Sequence, residues 1–326
     1  MSPSAVYSEQ HASRAHLSLE RLSLQSWEPE HIKQLQKNVG TKADGWFGPG
    51  SIKAWKTWNR SQPTPLDPKE PNLAPNFIPG AVLVKGASFM CPDGVKVVNH
   101  LQKNGVPAQL DDTAPRKIEP YQFILHRGAE HRRESENYAQ ATERVLDGKG
   151  CSTTFTLDVD GVIYQHFDPG LRRGRHCSYH NEQSDALDVA GPFTQASSKP
   201  LSGQKKLTLK MAIGRRNDKL PPLSRKYGTV KCWTMTLAQR LALKVFIPWY
   251  CKLRGIPVTA CEDWRTFRLS GGLKSKDPCT KGVKGILAHT NVAGPGSRTD
   301  GILPLVHLKE DGAEIEWRLA EDFFNA

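Results

Sequence analysis

The sequence predicts an α/β fold in which helices flank a mixed central sheet, preceded by a small helical domain. Three features lead to this prediction. Apolar residues alternate with period two over residues 155–159 and 162–166, a pattern typical of half-buried strands. A helical pattern follows at residues 236–255, so strands and helices alternate along the chain. Residues 61–75 are rich in proline, which cannot continue a helix, and they separate the α/β part from the N-terminal residues.

The length and composition of the chain allow two domains. At 326 residues the chain can bury more than one core, and its 24% charged and 38% hydrophobic residues are typical of a globular protein. The change in composition predicts a helical domain at residues 1–61, a semi-rigid linker at residues 62–76 and a larger domain at residues 77–326. We expect the chain to act as a monomer.

Two helices are predicted within the N-terminal domain. Ile32, Leu35 and Val39 lie on one face of the first helix, and Gly40 is suited to end it. A second helix with an apolar face follows the glycine-rich turn at residues 44–50. Much of both faces is expected to form the core of a small bundle.

In the larger domain, the clearest signals are a hairpin and a long helix. The Asp160–Gly161 dipeptide predicts a tight turn between the two alternating strands. Thr236 and Gln239 form a capping box that begins a helix, Pro248 is expected to kink it, and Gly255 is suited to end it. Apolar residues recur every four positions along this helix: Leu237, Leu241, Val245 and Trp249.

Two stretches of the larger domain are harder to assign from their sequence. Residues 192–230 are rich in Ser, Lys and Pro with little periodicity, and we expect an irregular insertion there. Residues 94–98 form an apolar run that is either the first element of the domain or a separate brace.

Charge restricts the class of partner. The net charge is +12 and the isoelectric point about 9.4, so the partner is expected to be anionic. Nucleic acid, an anionic lipid surface and a bacterial envelope all satisfy this condition. The basic clusters are not interleaved with aromatic residues as in single-strand binders, so no nucleic acid partner is expected.

Residues 1–25 lack a continuous apolar segment, and no run of about 18 apolar residues occurs anywhere in the chain. We therefore expect neither a Sec-type signal peptide nor a membrane span. The seven cysteines, an odd number, favour free thiols in a protein made in a reducing cytoplasm, although one disulfide remains an alternative.

Two histidines far apart in sequence each end a short apolar run. His126 ends residues 123–126 (FILH), and His289 ends residues 285–289 (GILAH). A buried strand that ends in histidine directs an imidazole to one edge of a sheet. Two imidazoles and one carboxylate are a donor set of catalytic zinc sites, which keep one position open. The pattern therefore indicates a metal hydrolase in which zinc activates water to attack an amide.

The N-terminal domain resembles a known wall-binding family. The letters LQK at residues 35–37, ADGWFGPGS at residues 43–51 and KAW at residues 53–55 resemble the three-helix peptidoglycan-binding domain of cell-wall hydrolases. The resemblance covers about residues 26–60. It implies a third helix and docking to peptidoglycan, with Trp46 and Phe47 as substrate-binding residues.

The larger domain resembles a second family that acts on the same polymer. His126, the hairpin, the segment RHC at residues 175–177, the helix at 236–255 and finally His289 follow one another in the order of zinc-dependent type 2 N-acetylmuramoyl-L-alanine amidases. This family includes the peptidoglycan recognition proteins. The resemblance covers about residues 115–305 and implies an amidase-like α/β fold.

Several roles are implied by this resemblance alone. His126, His289 and Asp300 match the zinc ligands of the family, and Asp188 and Arg298 match its catalytic positions. Two further residues match positions that line the substrate cleft: His176 and Asn181. Where the family reads Asp-Pro-Gly at the third ligand, this chain reads Asp-Gly-Ile, which keeps a binding protein without catalysis as an alternative.

Together these features predict a hydrolase that cleaves the amide between N-acetylmuramic acid and L-alanine. A wall enzyme without a signal peptide resembles a phage endolysin, made in the host cytoplasm and acting at the cell wall after release. The basic charge suits an envelope with anionic lipid. The alternatives are a non-catalytic peptidoglycan recognition protein and a secreted antibacterial amidase effector; a neighbouring holin gene would favour the endolysin and an immunity gene the effector.

Overall fold

A computed structural model describes nine segments of the chain. The described residues are 78, 80–101, 113–177, 180–196, 198–213, 226–262, 283–292, 301–319 and 322–323. The chain divides into two units, Met1–Leu73 and Ala74–Ala326, and all described residues belong to the second. The predicted helical domain at residues 1–61, with Trp46 and Phe47, and the linker at 62–76 therefore lie outside the described residues.

The described part of the second unit contains both helices and strands. The strands are β1 (Ala81–Val84), β2 (Ala87–Met90), β3 (Lys96–Asn99), β4 (Ala114–Pro115), β5 (Gln122–Arg127), β6 (Phe155–Leu157), β7 (Val162–Gln165), β8 (Arg172–Arg173), β9 (Ser184–Val189), β10 (Lys206–Ile213), β11 (Lys226–Trp233), β12 (Thr259–Cys261), β13 (Gly285–Ala288) and β14 (Glu316–Arg318). The helices are α1 (Tyr138–Asp147), α2 (Leu237–Arg254), α3 (His289–Val292) and α4 (Ile302–Glu310). Within this part of the chain, the helices are too short or too polar to cross a bilayer.

Eight strands form one sheet in the order β14-β12-β13-β5-β9-β6-β7-β3. Neighbouring strands run parallel, with the exception of the antiparallel pair β6–β7. Parallel strands carry near-continuous apolar runs because both faces of such a sheet are covered. The predicted α/β class with a mixed central sheet is therefore confirmed.

The predicted hairpin is confirmed as β6–β7. Its turn is closed by the amide of Gly161, which donates to the carbonyl oxygen of Asp158 at 3.0 Å. Gly161 has a φ of +86°, and an added Cβ would lie 2.8 Å from the carbonyl oxygen of Ala238 on α2. Glycine is therefore required both by the backbone conformation and by the close approach of the helix.

The capping box of Thr236 and Gln239 begins α2, and Gly255, with a φ of +66°, ends it as predicted. The side chains spaced by four do not form its buried face. Leu237, Leu241 and Val245 are 68%, 58% and 36% exposed. The helix instead packs its aromatic face on the sheet, burying Gln239, Ala242, Leu243, Phe246, Ile247, Pro248, Tyr250, Cys251 and Arg254.

The expectation of an irregular insertion at residues 192–230 was wrong for residues 206–213 and 226–230, which form strands, whereas the described residues between β9 and β10 are irregular as expected. Most of the described residues at 206–233 form the antiparallel hairpin β10–β11, in which Lys206 pairs with Trp233 and Ile213 with Lys226. Along these strands Leu209 is buried and Thr208 exposed. Lys206 and Lys231 occupy exposed positions of this period-two pattern, and lysines at such positions make the sequence look like a polar loop.

The apolar run at residues 94–98 contributes β3, which forms one edge of the main sheet. Beyond it lies the separate hairpin β1–β2. The side-chain amide of Gln165 on β7 exchanges two hydrogen bonds with the backbone of Leu83, at 2.9 and 2.7 Å. The side-chain amide of Asn99 donates to the carbonyl oxygen of Ala81 at 3.3 Å. Side chains therefore attach β1 to the sheet in place of backbone pairing.

A buried ionic cluster fastens α2 to the centre of the sheet. Asp185 on β9 is fully buried and contacts both Arg116 and Arg254, whose side chains are each 3% exposed. The hydroxyl of Tyr250 donates to the same carboxylate at 2.8 Å. Arg116 also donates to three carbonyl oxygens, those of the loop residues Pro169 and Glu182 and that of Ser184 at the start of β9. The two cations share one buried anion, and Arg254 also contacts the exposed Glu119 at 3.4 Å.

Replacement of Asp185 by Asn should destabilise the fold strongly, because two buried guanidinium groups would lose their shared counter-charge. We expect a loss of about 3–5 kcal/mol in the free energy of unfolding. Urea denaturation followed by tryptophan fluorescence measures this loss. Glu314→Gln is the matched control, since Glu314 forms an exposed pair with Lys252 at 3.4 Å and its removal should cost under about 1 kcal/mol. Equal losses for the two variants would contradict the role given to Asp185.

Candidate active site

His126 lies at the carboxyl end of β5, the strand flanked by β13 and β9. Residues 123–125 before it are completely buried, so the strand is fixed on both faces. In the parallel pairing of β5 with β9, His126 is directly opposite Asp188. Both side chains are buried, and they point to the same face of the sheet because paired residues of neighbouring strands share a face.

His289 follows β13, which pairs with β5 on its other side, and it is the first residue of α3. The pairing of Ala288 with Leu125 brings the next residue of each strand together. As a result, the ring centroids of His126 and His289 lie 4.4 Å apart. Two histidines separated by 163 positions in the sequence thus meet at one edge of the sheet, as their position after two buried strands predicts.

His176 joins this pair from the loop after β8. Its Nδ1 atom lies 3.1 Å from Nε2 of His126, and the two rings meet edge to face with centroids 5.2 Å apart. Asn181 shapes the loop, because its side-chain oxygen accepts hydrogen bonds from the backbone amides of His176 and Cys177 at 3.0 and 2.6 Å. The structure therefore places His176 in the histidine cluster and Asn181 behind it.

The hydrogen bonds around His176 determine which imidazole nitrogens carry protons. The hydroxyl of Ser184 donates to the carbonyl oxygen of His180 at 2.5 Å. Its oxygen is then the acceptor for Nε2 of His176 at 3.1 Å. In a neutral imidazole this leaves Nδ1 of His176 unprotonated, so it accepts from Nε2 of His126. By the same argument, Nδ1 of His126 is the nitrogen with a free lone pair.

The hydrogen bonds from His126 to His176 and from His176 to Ser184 form an imidazole relay. Metal-binding histidines commonly have such an arrangement. A ligating imidazole usually donates its second ring N–H to a nearby acceptor, which fixes its tautomer and its orientation. Here the acceptor for His126 is another imidazole, held in turn by Ser184. Serine and histidine at these positions give no sequence pattern of their own, so the relay became visible only in the folded chain.

The histidines of the cluster are also in the protonation state that can bind a metal cation. Burial, followed by the nearby His289 and His176, holds the pKa of His126 well below its ordinary value. Burial, and then His289 and Arg116, lower the pKa of His176 to about 3. Both imidazoles are therefore neutral near pH 7, which is the form that binds metals.

The described residues supply part of a zinc donor set. His126 and His289 are in contact and neutral imidazole suits zinc, so these two residues fit the metal. Across the described segments, no group of three or more His, Cys, Asp or Glu side chains is arranged to hold a metal ion. The predicted third ligand, Asp300, and the predicted cation, Arg298, lie outside the described residues.

Gly301 is the first described residue after Asp300, and it lies against the histidine cluster. It has a φ of +79°, and an added Cβ would overlap the carbonyl oxygen of Leu125 and lie 2.9 Å from the backbone nitrogen of His289. The chain therefore passes directly beside the ends of β5 and β13 at this point. The sequence signal was the glycine after Asp300, at the position where the resembled family has proline.

His126, Asp188 and Thr156 lie side by side on neighbouring strands, and Thr156 contacts a further buried histidine, His166. Nε2 of His166 lies 2.8 Å from the hydroxyl of Thr156, and both residues are completely buried. Thr156 is opposite Asp188 in the pairing of β6 with β9. Burial, followed by the proximity of His100, lowers the pKa of His166 to about 3. His166 therefore stays neutral and supports the strand that neighbours Asp188.

Comparisons with known proteins give structural likenesses only. No protein-family model and no curated protein matches the chain. Among solved structures, the amidase LysCS of Clostridium intestinale URNW, described as an endolysin, is 12% identical with a TM-score of 0.34, covering 66% of this chain and 94% of that chain.

Recognition proteins give similar values. The Drosophila peptidoglycan recognition protein PGRP-SA is 14% identical with a TM-score of 0.35, covering 69% of this chain and 94% of that chain. The complex of PGRP-LCa and PGRP-LCx with tracheal cytotoxin gives 12% identity and a TM-score of 0.37, covering 68% of this chain and 98% of that chain. These TM-scores are too low to carry an argument about function.

Replacement of Gly301 by Ala should damage the site, and Gly312→Ala is its matched control. Both glycines have positive φ, but nothing lies within 4 Å of a Cβ added at Gly312. Each variant should lose about 1 kcal/mol for its backbone conformation. The overlap at Gly301 should cost about 1–3 kcal/mol more. Thermal denaturation of both variants measures the difference, and equal losses would show that Gly301 is not packed against β5.

Proposed function

We propose that this chain is a peptidoglycan hydrolase that cleaves the amide between N-acetylmuramic acid and L-alanine with the help of zinc. The observation that carries the proposal is the meeting of His126 and His289, with Asp188 in register beside them, at the ends of three central strands. The family motifs at these positions supply the substrate class. The site geometry supports the metal chemistry.

His126, His289 and Asp300 are the residues proposed to hold zinc, with Nδ1 of His126 as the donor atom that the Ser184–His176 relay leaves free. Zinc bound there would polarise the scissile carbonyl and lower the pKa of its water towards about 7. The relay fixes the ring of His126 before any ligand binds, which reduces the cost of assembling the site.

Asp188 is proposed to move the proton. Its carboxylate takes a proton from the attacking water and passes it to the nitrogen of the leaving amine, which restores the carboxylate after each turnover. Asp188 lies at the carboxyl end of β9 directly opposite His126, so both groups face the same reacting centre. Arg298 would hold the negative charge that develops on the carbonyl oxygen, and its guanidinium cannot itself give up a proton.

The remaining features fit a modular wall-lytic enzyme. Trp46 and Phe47 in the N-terminal domain are proposed to bind peptidoglycan, and His176 and Asn181 to shape the cleft of the larger unit. A phage endolysin, monomeric and made in the host cytoplasm, is the biological role we favour, and the charge of +12 suits an envelope with anionic lipid. A recognition protein without hydrolysis is the competing role, favoured by Asp300–Gly301 in place of Asp-Pro-Gly.

Purified sacculi treated with the protein should release stem peptides that begin with a free L-alanine amine. Mass spectrometry identifies them, and a zinc chelator should abolish their release until zinc is added back. His126→Ala should lower the rate about a hundredfold or more, because a ligand is lost. His131→Ala, an exposed histidine on the loop after β5, is the matched control and should leave the rate unchanged. Tight binding to sacculi without released stems would instead indicate a recognition protein.

Asp188→Asn should lower the rate of stem release about a hundred- to ten-thousandfold while zinc content stays the same, since the amide cannot accept the proton. Asp188→Glu keeps a carboxylate and should retain more activity than Asp188→Asn. The measurement is the initial rate on sacculi together with metal analysis of each purified variant. A fully active Asp188→Asn variant would exclude Asp188 as the proton acceptor.

A further inference from the structure

The β10–β11 hairpin and the loop before it are strongly basic. The described residues between Ala190 and Thr236 include six lysines and neither Asp nor Glu. These lysines are half as many as the net charge of +12 on the whole chain, so the positive charge is concentrated in this segment. The basic residues 131–133 differ, because three glutamates lie within residues 130–136 and compensate them.

Strand alternation directs two of these lysines to the outer face of the hairpin. Leu209 on β10 and Cys232 on β11 are buried on the inner face, so Lys206 and Lys231 lie on the opposite face, where both are exposed. In the register of the hairpin, Lys206 is opposite Trp233, two residues after Lys231. The two lysines are therefore diagonal neighbours, with Cα atoms about 7–8 Å apart.

A third exposed lysine is held at the base of the hairpin. The backbone amide of Lys205 donates to the hydroxyl of Thr234 at 2.9 Å, and the amide of Thr234 donates to the carbonyl oxygen of Lys205 at 2.9 Å. The side chains of Lys205, Lys206 and Lys231 form no ion pair with any residue of the described segments. Within the part of the chain that the structure describes, these three positive charges are therefore uncompensated.

An exposed apolar stripe begins beside these lysines. Leu237, Leu241 and Val245 recur every four residues along α2, and all three are exposed. Leu237 follows Thr234 by three residues, a length of chain that spans at most about 11 Å. Since Thr234 contacts Lys205, the first leucine of the stripe lies close to the base of the basic hairpin.

We propose that the lysines of the hairpin and the leucines at the start of α2 form one surface that binds a bilayer containing anionic lipid. This basic-apolar surface consists of Lys205, Lys206, Lys231, Leu237 and Leu241. Lysines are attracted to negatively charged headgroups, and leucines enter the apolar boundary beneath them. Nucleic acid would account for the lysines alone, because its phosphate backbone gives exposed leucines no apolar phase to enter. The choice of a bacterial lipid rests on the proposed function, which places the protein at the bacterial envelope.

The basic-apolar surface lies away from the candidate active site. Leu209 and Cys232, on the inner face of the hairpin, line a narrow cavity together with His126. Because Lys206 and Lys231 are on the opposite face of the same two strands, a bilayer bound to them does not cover this cavity. Lipid binding and hydrolysis are therefore expected to be separable.

The first test measures co-sedimentation of the full chain with vesicles of phosphatidylcholine, with and without phosphatidylglycerol. The wild-type protein should bind the anionic vesicles and not the neutral ones, and added salt should weaken the binding. The combined variant Lys205→Gln, Lys206→Gln and Lys231→Gln should bind the anionic vesicles about a hundredfold more weakly, because each lysine near an anionic surface contributes about fivefold.

The matched control removes the same amount of charge from exposed lysines elsewhere on the domain. It combines Lys96→Gln, Lys117→Gln and Lys149→Gln, none of which belongs to the basic-apolar surface. Since charges far from the bilayer are screened by salt, this variant should change vesicle binding less than about twofold. An equal loss for the two combined variants would show that only the net charge matters, and it would overturn the surface.

The second test concerns the apolar part of the surface. Leu241→Gln keeps a good helix former and should weaken binding to the anionic vesicles about fivefold, because an apolar side chain no longer enters the bilayer. Met90→Gln is the matched control, since Met90 on β2 is 58% exposed, as is Leu241, and lies outside the surface. It should bind like the wild type. The thermal denaturation midpoint of each variant is measured to show that it folds.

The outcomes separate this surface from the proposed function. Equal binding to neutral and anionic vesicles, or unchanged binding by the variant without the three lysines, overturns the surface. Tighter binding to duplex DNA than to anionic vesicles, with Leu241→Gln unaffected, indicates a nucleic-acid surface and also overturns it. Release of stems from lipid-free sacculi is measured beside vesicle binding. Stem release without vesicle binding overturns the surface alone, and vesicle binding without stem release overturns the proposed function alone.

Discussion

The parallel pairing of β5 with β13 on one side and β9 on the other is the constraint on which the candidate site depends. A shift of one residue in either pairing would turn His126 away from Asp188 or from His289, because successive side chains of a strand face opposite sides. The pairing is held by burial. Residues 123–125 of β5 are inaccessible to solvent: Phe123 and Leu125 pack in the core that includes α2, and Ile124 packs in a second apolar cluster. The site is therefore assembled by the same apolar contacts that stabilise the domain.

Polar groups buried in the sheet fix the positions of α2 and of the site histidines more closely than the apolar contacts do. Asp185 fixes α2 behind the sheet through Arg254 and Tyr250, while Ser184, the residue before it, holds the imidazole relay in front. Ser184 and Asp185, successive residues of β9, thus form their contacts on opposite faces of the sheet. A carboxylate compensates two cations on one face, and a hydroxyl fixes a tautomer on the other. Both are satisfied by hydrogen bonds, as buried polar groups must be.

Signals that are local in sequence predicted the structure well, and those that depend on distant partners did not. The β6–β7 turn and both ends of α2 follow from Asp160–Gly161, Thr236 and Gly255, each of which acts on its immediate neighbours. The meeting of His126 and His289 followed from their position after buried strands. The buried face of α2 could not be predicted, because the helix offers two apolar faces and only the partner sheet selects between them.

The ionic cluster and the β10–β11 hairpin were missed for a related reason. Arg116, Asp185 and Arg254 look like surface residues until the fold brings them together, and lysines concealed the alternation of β10 and β11. Asp300, Arg298, Trp46 and Phe47 lie outside the described residues and stay predictions.

The attachment of β1 to the sheet through the side-chain amides of Gln165 and Asn99 has a consequence for hydrogen exchange. The β1–β2 hairpin can leave the sheet by breaking side-chain contacts alone, so the amide of Leu83, which donates to Gln165, should exchange hydrogen with solvent while the backbone ladder of the central sheet stays closed.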